Sequence, residues 1–229
     1  MSQINLMFHD VKLNPSRWNT KPNRFEELMK IIFEHHNASK VVITVDDAGK
    51  GNHEYMLPVF EKYGIKSHIF VPTKFISDGI KASSYMNAIQ IKEFSDLGHI
   101  VGSHSHSHPR NISLLGKEQI ENEWSLSKDI LENITGKPVV SCAIPGGFYS
   151  NVQMEILKKL GYELIFNSVP TFDTVTTNHI ALSGRFSIER NTSNYQMNLI
   201  LNMNFFNQQK LKIRQSLSQT IHTIKHRLN

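Results

Sequence analysis

The stretch Leu97-Gly98-His99-Ile100-Val101-Gly102-Ser103-His104-Ser105-His106-Ser107-His108-Pro109 reads as a turn, a short buried strand and a histidine-rich segment. The alternating histidines therefore follow the carboxyl end of a strand, the edge where α/β proteins usually place their functional groups. Neutral imidazole is a common ligand of zinc-like metals. Segments rich in serine and histidine also occur as solvated loops, so this stretch alone leaves a metal site and an ordinary loop open.

The same order of helix, glycine and apolar strand recurs on both sides of this stretch. Glycine is the expected stop after a helix, and short connections between alternating helices and strands indicate right-handed βαβ units with a parallel sheet. We therefore predict one domain over residues 1–229, with a sheet that closes or nearly closes into a barrel. The predicted strands are 4–8, 40–45, 67–72, 99–103, 139–144 and 163–166, and the predicted helices are 25–33, 53–63, 88–97, 117–135 and 152–160.

Composition excludes several classes of protein. A chain of 229 residues with 39% hydrophobic and 20% charged residues fits a globular domain. It has no apolar run long enough to span a membrane, and its first residues show no secretory signal. The single cysteine, Cys142, allows no internal disulfide. We therefore expect a cytoplasmic protein.

The net charge of +5 arises from the C-terminal stretch. Apolar residues at near-helical spacing predict a basic amphipathic helix at about 208–228. The favoured interpretation is a last helix that docks on the body with a solvated basic face. Contact with an anionic membrane surface or a lipid-linked substrate is the lesser alternative. Nothing resembles a nucleic-acid reader module, and the oligomeric state is not predicted.

Polar and titratable residues collect at the ends of the predicted strands. Adjacent carboxylates at Asp46-Asp47 repel each other and are costly to bury unless a cation or proton compensates them, although such a pair also caps helices. Two histidines and a carboxylate form a ligand set that leaves metal positions open for water and substrate. The groups at the strand ends are His9-Asp10, Asp46-Asp47, His104 with His108, and Pro145-Gly146-Gly147.

Two of these segments, in this order and spacing, resemble the motifs of the polysaccharide deacetylase (NodB homology) family. Thr44-Val45-Asp46-Asp47-Ala48-Gly49 is similar to its T-F-D-D-G motif, and the segment from Gly102 to Pro109 resembles its H-[ST]-x-x-H-P motif. The likeness extends over roughly residues 40–170. It implies a distorted (β/α) barrel of about seven parallel strands and metal-dependent hydrolysis of an acetyl group, amide or ester, on a sugar or glycan.

The resemblance also implies roles for individual residues. Asp47, His104 and His108 are expected to bind one divalent ion, zinc above all, with cobalt, nickel or manganese as alternatives. Asp46 is expected to be the general base, and the backbone N–H of Gly146 the oxyanion donor. Phe8-His9-Asp10-Val11 resembles a Y-H-x-V phrase of some relatives, so His9 is the expected general acid, with Asp10 orienting it.

The chain departs slightly from the family pattern at Ala48, which replaces the usual glycine, and more substantially at two other places. Ala143 stands where many members have an arginine that pairs with the general base, so Asp46 is expected to lack this partner. The family's late L-x-H segment, which supplies its general acid, has no convincing match in this chain, and the residues around His179 do not fit that pattern. Arg185 is expected to form a structural ion pair, and His106 to point away from the metal. The expected substrate contacts are Pro145, Gly147 and Tyr149.

Three functions therefore remain open from the sequence. The first is a metal-dependent deacetylase that acts on a sugar or glycan intermediate. The second keeps the metal but hydrolyses a linear or cyclic amide outside sugar chemistry. The third is a carbohydrate-binding barrel without catalysis, which the missing arginine and the unplaced late histidine favour, whereas the intact aspartates and histidines favour an enzyme.

Overall fold

A computed structural model describes residues 3–76, 84–177 and 179–203, together with 205, 206, 208, 209 and 211. Its strands are β1 (Ile4–Phe8), β2 (Val41–Val45), β3 (Ser67–Val71), β4 (Ile100–Ser103), β5 (Ser141–Ala143), β6 (Leu164–Phe166), β7 (Thr174–Thr177), β8 (Ile180–Ser183) and β9 (Phe186–Ser187). Its α-helices are α1 (Pro22–Glu34), α2 (Leu57–Tyr63), α3 (Ala88–Asp96), α4 (Lys117–Thr135), α5 (Asn151–Lys159) and α6 (Asn194–Leu201).

The described strands form one sheet in the order β7-β8-β6-β5-β4-β3-β2-β1-β9. Every neighbouring pair is parallel except β7 with β8. Strand β8 pairs with β6 next to the edge strand β7, and β9, which follows directly after Gly184 and Arg185, pairs with β1 and forms the other edge. Because only two residues separate β8 from β9, the two sides of the curled sheet come close together. The predicted α/β fold with a curled, mainly parallel sheet is confirmed, with nine strands instead of about seven.

The core lies between the sheet and the helices that cover it. On α1 the apolar residues at helical spacing are buried against the sheet, namely Phe25, Leu28, Met29 and Ile32. Trp124 on α4 and Cys142 on β5 are also fully buried, as expected for packing residues. Helix α2 ends at Gly64, whose φ of 63° lies in the left-handed region that glycine adopts without strain.

Two predicted helices differ from the structure. The helix predicted at 53–63 begins as a π-helical turn, Asn52–Met56, and becomes α-helical only from Leu57. Pro58 has no N–H to donate, so the regular hydrogen-bond ladder cannot continue through this point. The basic helix predicted at 208–228 lies almost entirely outside the described residues. No helix among the described residues combines the length and apolar character needed to cross a membrane.

Candidate metal centre and active site

The turn after β2 separates the two adjacent aspartates. The backbone N–H of Asp46 donates to the carbonyl oxygen of Phe8, which continues the pairing of β1 with β2. Asp47 and Ala48 then adopt φ angles of 72° and 50°, an unfavourable conformation for residues with a side chain. Because of this turn, the carboxylate of Asp46 is buried, whereas that of Asp47 is about one-third exposed.

His104 follows β4 and is held in one tautomer. Its Nδ1–H donates to the carbonyl oxygen of Ala143 at 2.7 Å, which leaves a lone pair on Nε2. Burial is the largest effect on the ring and lowers the pKa of His104 to about 4, although Asp46 and Asp47 act in the opposite direction. The imidazole is therefore neutral near pH 7, as a metal ligand must be.

The three predicted metal ligands converge on one point. The Oδ1 atom of Asp47 lies 3.7 Å from Nε2 of His104 and 3.4 Å from Nε2 of His108. One ligand atom from each residue lies within 4.8 Å of the others. With its proton on Nδ1, His104 presents a bare Nε2 to carboxylate oxygens, so electron-rich atoms face each other. A divalent cation would compensate this arrangement, and two imidazoles with one carboxylate suit zinc.

Serines and a glutamate shape the loop that joins His104 to His108. Ser105 donates its N–H to Ser103 Oγ, and the N–H of His108 donates to Ser105 Oγ. Glu123 on α4 accepts the backbone N–H groups of His106 and Ser107 at 3.0 and 2.8 Å and also the Ser107 hydroxyl. These bonds fix a loop whose strained residues, Ser105 and His108, have φ angles of 63° and 55°.

His106 points away from the convergence of ligands, as predicted. Its Nδ1 lies 2.9 Å from the hydroxyl of Thr73, and its carbonyl oxygen accepts the N–H of Lys74. The middle histidine of the segment therefore links the loop to the residues that follow β3. The segment is not extended, because Ser105 and His108 on either side have φ angles of 63° and 55°, and these turns direct His106 away from the two neighbouring histidines.

The expectation that Asp46 lacks an arginine partner is wrong. Arg185, in the connection between β8 and β9, donates from its two terminal nitrogens to both oxygens of Asp46 at 2.6 and 2.8 Å. The guanidinium is fully buried and also bonds Thr44 Oγ1 and the carbonyl oxygen of Asn167. Arg185 reaches the carboxylate from the connection between β8 and β9. The spacing of residues along the sequence does not indicate this contact.

This pair sets the charge of Asp46. Burial raises the pKa of the carboxyl group, but Arg185 and then His104 oppose it, and the net result is a pKa of about 2. Asp46 is consequently ionised throughout the neutral range. Its Oδ2 atom lies 3.7 Å from Nε2 of His104, so the carboxylate adjoins the point where the three ligand atoms meet.

His9 lies at the end of β1 and lines the same cavity as the aspartates and histidines. Its Nδ1 is buried and has no hydrogen-bond partner among the described residues. The idea that Asp10 orients this ring is wrong, because the Asp10 carboxylate accepts the N–H of Val11 and pairs with Lys12. Asp10 instead packs against the backbone at Gly49, where an added Cβ would come within 2.3 Å of it.

The cavity above these residues has a volume of about 1070 Å³. Gly146 reaches it in a turn with φ of 66°, where a Cβ would lie 2.7 Å from the carbonyl oxygen of Arg110. Of the predicted substrate contacts, Pro145, Gly147 and Tyr149 are absent from the described lining, because the proline is buried and the turn directs Gly147 toward Ser168. Phe148, Trp18 and Arg110 line the cavity instead.

Sequence reasoning missed several residues that support the site. Glu123 lies in the middle of a helix and carries no motif that distinguishes it from other surface glutamates. Trp18 belongs to a loop without periodicity, and its neighbour Arg17 pairs with Glu189, far along the chain. For Arg185, the sequence predicts an ion pair, which the structure shows, but it does not identify Asp46 as the partner.

Comparisons with known proteins identify the family of this chain. The family model described as polysaccharide deacetylase matches residues 34–165. Peptidoglycan-N-acetylmuramic acid deacetylase PdaA of Bacillus subtilis is 31% identical over 119 residues, which cover 52% of this chain and 42% of PdaA. Putative polysaccharide deacetylase YxkH of the same species is 28% identical over 130 residues, covering 57% of this chain and 45% of YxkH.

Solved structures show the same fold at lower identity. Deacetylase PplD of Streptococcus pyogenes, in complex with acetate, superposes with a TM-score of 0.72 at 18% identity, covering 88% of this chain and 98% of PplD. IcaB from Ammonifex degensii gives a TM-score of 0.73 at 18% identity, covering 88% of this chain and 96% of IcaB.

The chain belongs to the polysaccharide deacetylase family. The curated proteins to which it is similar include peptidoglycan deacetylases. The chain spans less than half the length of the curated relatives named above.

Proposed function

We propose that this protein is a metal-dependent hydrolase that removes an acetyl group from an acetylated sugar of a glycan. The observation that carries the proposal is the convergence of Asp47, His104 and His108 within 4.8 Å, next to the buried carboxylate of Asp46. The family to which the chain belongs supports the same reaction. The N₂O ligand set favours zinc, with cobalt, nickel or manganese as substitutes.

Asp47, His104 and His108 would hold the ion, and the ion supplies a polarising charge for the acetyl carbonyl and lowers the pKa of water. Asp46 takes the proton of the attacking water. Arg185 keeps this carboxylate ionised and fixes both of its oxygens, so the base has one orientation before substrate arrives.

His9 and Gly146 act on the other parts of the reacting amide. The backbone N–H of Gly146 stabilises the oxygen that becomes negative as water adds to the carbonyl carbon. His9 donates a proton to the nitrogen as the C–N bond breaks, so that the sugar leaves as a neutral amine. Both residues line the cavity with Asp46, which supports these assignments.

The other two functions are weaker. The missing arginine was an argument for a binding barrel without catalysis, and Arg185 removes it by pairing with Asp46. Hydrolysis of a non-sugar amide uses the same residues, so substrate comparison must separate it from deacetylation. A lipid-linked sugar fits the proposal equally, because the reacting end of such a substrate is the same.

An Asp46→Asn variant tests the proposal. We expect it to retain one equivalent of zinc while acetate release from acetylated oligosaccharides falls at least a hundredfold, because the amide cannot accept a proton. Wild-type protein is assayed against chitin and peptidoglycan fragments and against small linear and cyclic amides. Acetate release from no sugar, or full activity of Asp46→Asn, would contradict the proposal.

A further inference from the structure

We propose that Trp18 is the platform on which the sugar ring bearing the leaving amine stacks, and that the Arg17–Glu189 ion pair holds this platform in place. The inference rests on the proposed function and extends it to the recognition of the substrate. It concerns a residue in the connection between β1 and α1, outside the segments that resemble the family motifs.

The position of Trp18 relative to His9 carries the first step. Trp18 lines the cavity with 43% of its surface exposed, and its ring centroid lies 5.6 Å from that of His9 at an interplanar angle of 38°. The group that protonates the leaving nitrogen must approach that nitrogen, which is bonded directly to the sugar. The sugar ring therefore lies on the His9 side of the cavity, where the indole is the adjacent aromatic surface.

The ion pair beside the indole carries the second step. The Arg17 guanidinium lies 4.5 Å from the centroid of the Trp18 ring. Its Nε and a terminal nitrogen both donate to Glu189, each at 2.9 Å, so the guanidinium has a fixed plane. Glu189 follows β9, and the bond from the N–H of Arg190 to the Arg17 carbonyl oxygen ties the same two segments together.

The loop that carries Trp18 is also anchored on its other side. The N–H of Thr20 donates to the Asp10 carbonyl oxygen at 3.0 Å, and the N–H of Lys12 donates to the Thr20 carbonyl oxygen at 2.9 Å. Thr20 and Asn19 are buried, whereas Trp18 between them and Arg17 is half-exposed. An aromatic ring held in advance loses little conformational entropy when a ligand packs on it, which is the property of an effective binding residue.

The chemistry of the ring defines the ligand class. An indole offers a flat apolar surface with a negative face, which suits the C–H groups on one side of a pyranose ring. A linear amide has no such ring to place there. Trp18 would consequently favour acetylated pyranosides over small amides, and it would act on binding more than on the chemical step.

Binding of a chitin tetramer tests the platform without turnover. Titration calorimetry on the chelator-treated 229-residue chain compares wild type with Trp18→Ala, Trp18→Phe and Arg17→Gln. The matched control is Phe33→Ala, which removes another exposed aromatic residue that does not line the cavity. We expect the dissociation constant to rise about five- to tenfold in Trp18→Ala, about twofold in Trp18→Phe and to an intermediate degree in Arg17→Gln.

Intrinsic fluorescence gives an independent readout. The chain has two tryptophans, and Trp124 is fully buried, so a ligand-induced change in emission reports Trp18. With metal restored, the KM for the tetramer is expected to rise in Trp18→Ala while kcat stays within about twofold and zinc stoichiometry is unchanged.

The outcomes separate this inference from the proposed function. Wild type that binds no metal and releases no acetate would refute the proposed function itself. An active wild type whose affinity for the tetramer is undetectable, or is the same in Trp18→Ala, would overturn the platform alone. Loss of zinc in Trp18→Ala, or an equal effect of Phe33→Ala, would also overturn it, since the role of Trp18 would then be structural.

Discussion

At the scale of single residues, the pairing of Asp46 with Arg185 decides what the site can do. Both side chains are almost completely buried, and two parallel hydrogen bonds join the guanidinium to the carboxylate. Removing one partner of a buried ion pair costs more free energy than the intact pair contributes to stability, because the other charge is left buried and uncompensated. Arg185 also donates hydrogen bonds to β2 and to the segment after β6, so the same side chain that pairs with Asp46 also links separate parts of the sheet.

Replacement of Arg185 by methionine should therefore affect both stability and activity. We expect a loss of about 3 kcal/mol in the free energy of unfolding and a fall of about a hundredfold in kcat/KM. The pKa of Asp46 should rise without its partner, so the acid limb of the pH–activity profile should move to higher pH. Urea denaturation and kcat/KM against pH measure the two effects.

Arg190→Met is the control for this prediction. Arg190 lies on the surface and bonds the carbonyl oxygen of Pro15, and its replacement should change neither quantity appreciably. An Arg185→Met protein with the acid limb of wild type would contradict the assigned role, even if its stability fell.

The residues that lie at the strand ends could be predicted, because the local sequence pattern determines where each strand ends. Asp47, His104 and His108 follow strands whose apolar runs are visible in the chain, and parallel strands present these ends at one edge. The partner of Asp46 could not be predicted in this way, because Arg185 arrives from 139 positions away through pairing of β9 with β1. Contacts of this kind depend on how the ends of the sheet come together, and no local sequence pattern indicates that arrangement.

At the scale of elements, helix α4 positions the loop that follows β4. Glu123 accepts three hydrogen bonds from His106 and Ser107, between the two histidines that would hold the ion. Bonds of this type orient the ligands without touching the metal. The spacing of the histidines therefore depends on a side chain from a different element.

Glu123→Ala should weaken metal binding while the fold persists. We expect the zinc dissociation constant to rise about ten- to a hundredfold, since the loop gains freedom and the ligands lose their fixed separation. Competition with a zinc-chelating dye measures the constant. Glu121→Ala on the same helix is the matched control, because the side chain of Glu121 is about one-third exposed and pairs only with Lys159 among its described salt bridges. Equal effects of both variants would refute the role of Glu123.

The elements differ in how far the sequence revealed them. Strands β1–β6 and helices α1, α3, α4 and α5 carry clear apolar patterns, and the sequence predicts them at nearly their observed positions, whereas the helix predicted at 53–63 is α-helical only from Leu57. Strand β7 is exposed throughout and β9 has two residues, so neither shows a buried apolar run. Helix α6 was missed despite a readable signal, since Ser193 and Gln196 form a capping box at its start.

At the scale of the whole molecule, stability should depend on histidines away from the site. Burial, more than any charge, lowers the pKa of His99 and of His68 to about 4. His99 Nδ1 accepts the N–H of Ser67, and its ring packs near Phe60 and Phe94. A proton on this nitrogen would remove the bond and place a charge among aromatic rings.

The direction of the pH dependence follows from these pKa values. The folded protein holds the two histidines neutral, whereas the unfolded chain protonates them at about pH 6.5. Stability is therefore complete above pH 6.5 and falls as the pH decreases toward 4. Asp46 contributes in the acidic range, because its folded pKa of about 2 is below the ordinary value, and its contribution is lost only as the pH falls toward 2.

Urea denaturation of the metal-free protein at pH 7 and pH 5 measures this effect. We expect the free energy of unfolding to fall by about 2 kcal/mol or more at pH 5, and a His99→Gln variant to show a smaller fall. Equal stability of wild type at the two pH values would contradict the burial argument.

The account as a whole depends on one cation held by Asp47, His104 and His108, and metal analysis tests this most directly. The 229-residue chain is dialysed against zinc, freed of excess metal and measured by elemental analysis beside Asp47→Ala, His104→Ala and Asp46→Asn. We expect about one zinc per chain in wild type and in Asp46→Asn, and close to none in the other two variants. Wild type without stoichiometric metal, or undiminished metal in Asp47→Ala and His104→Ala, would contradict it.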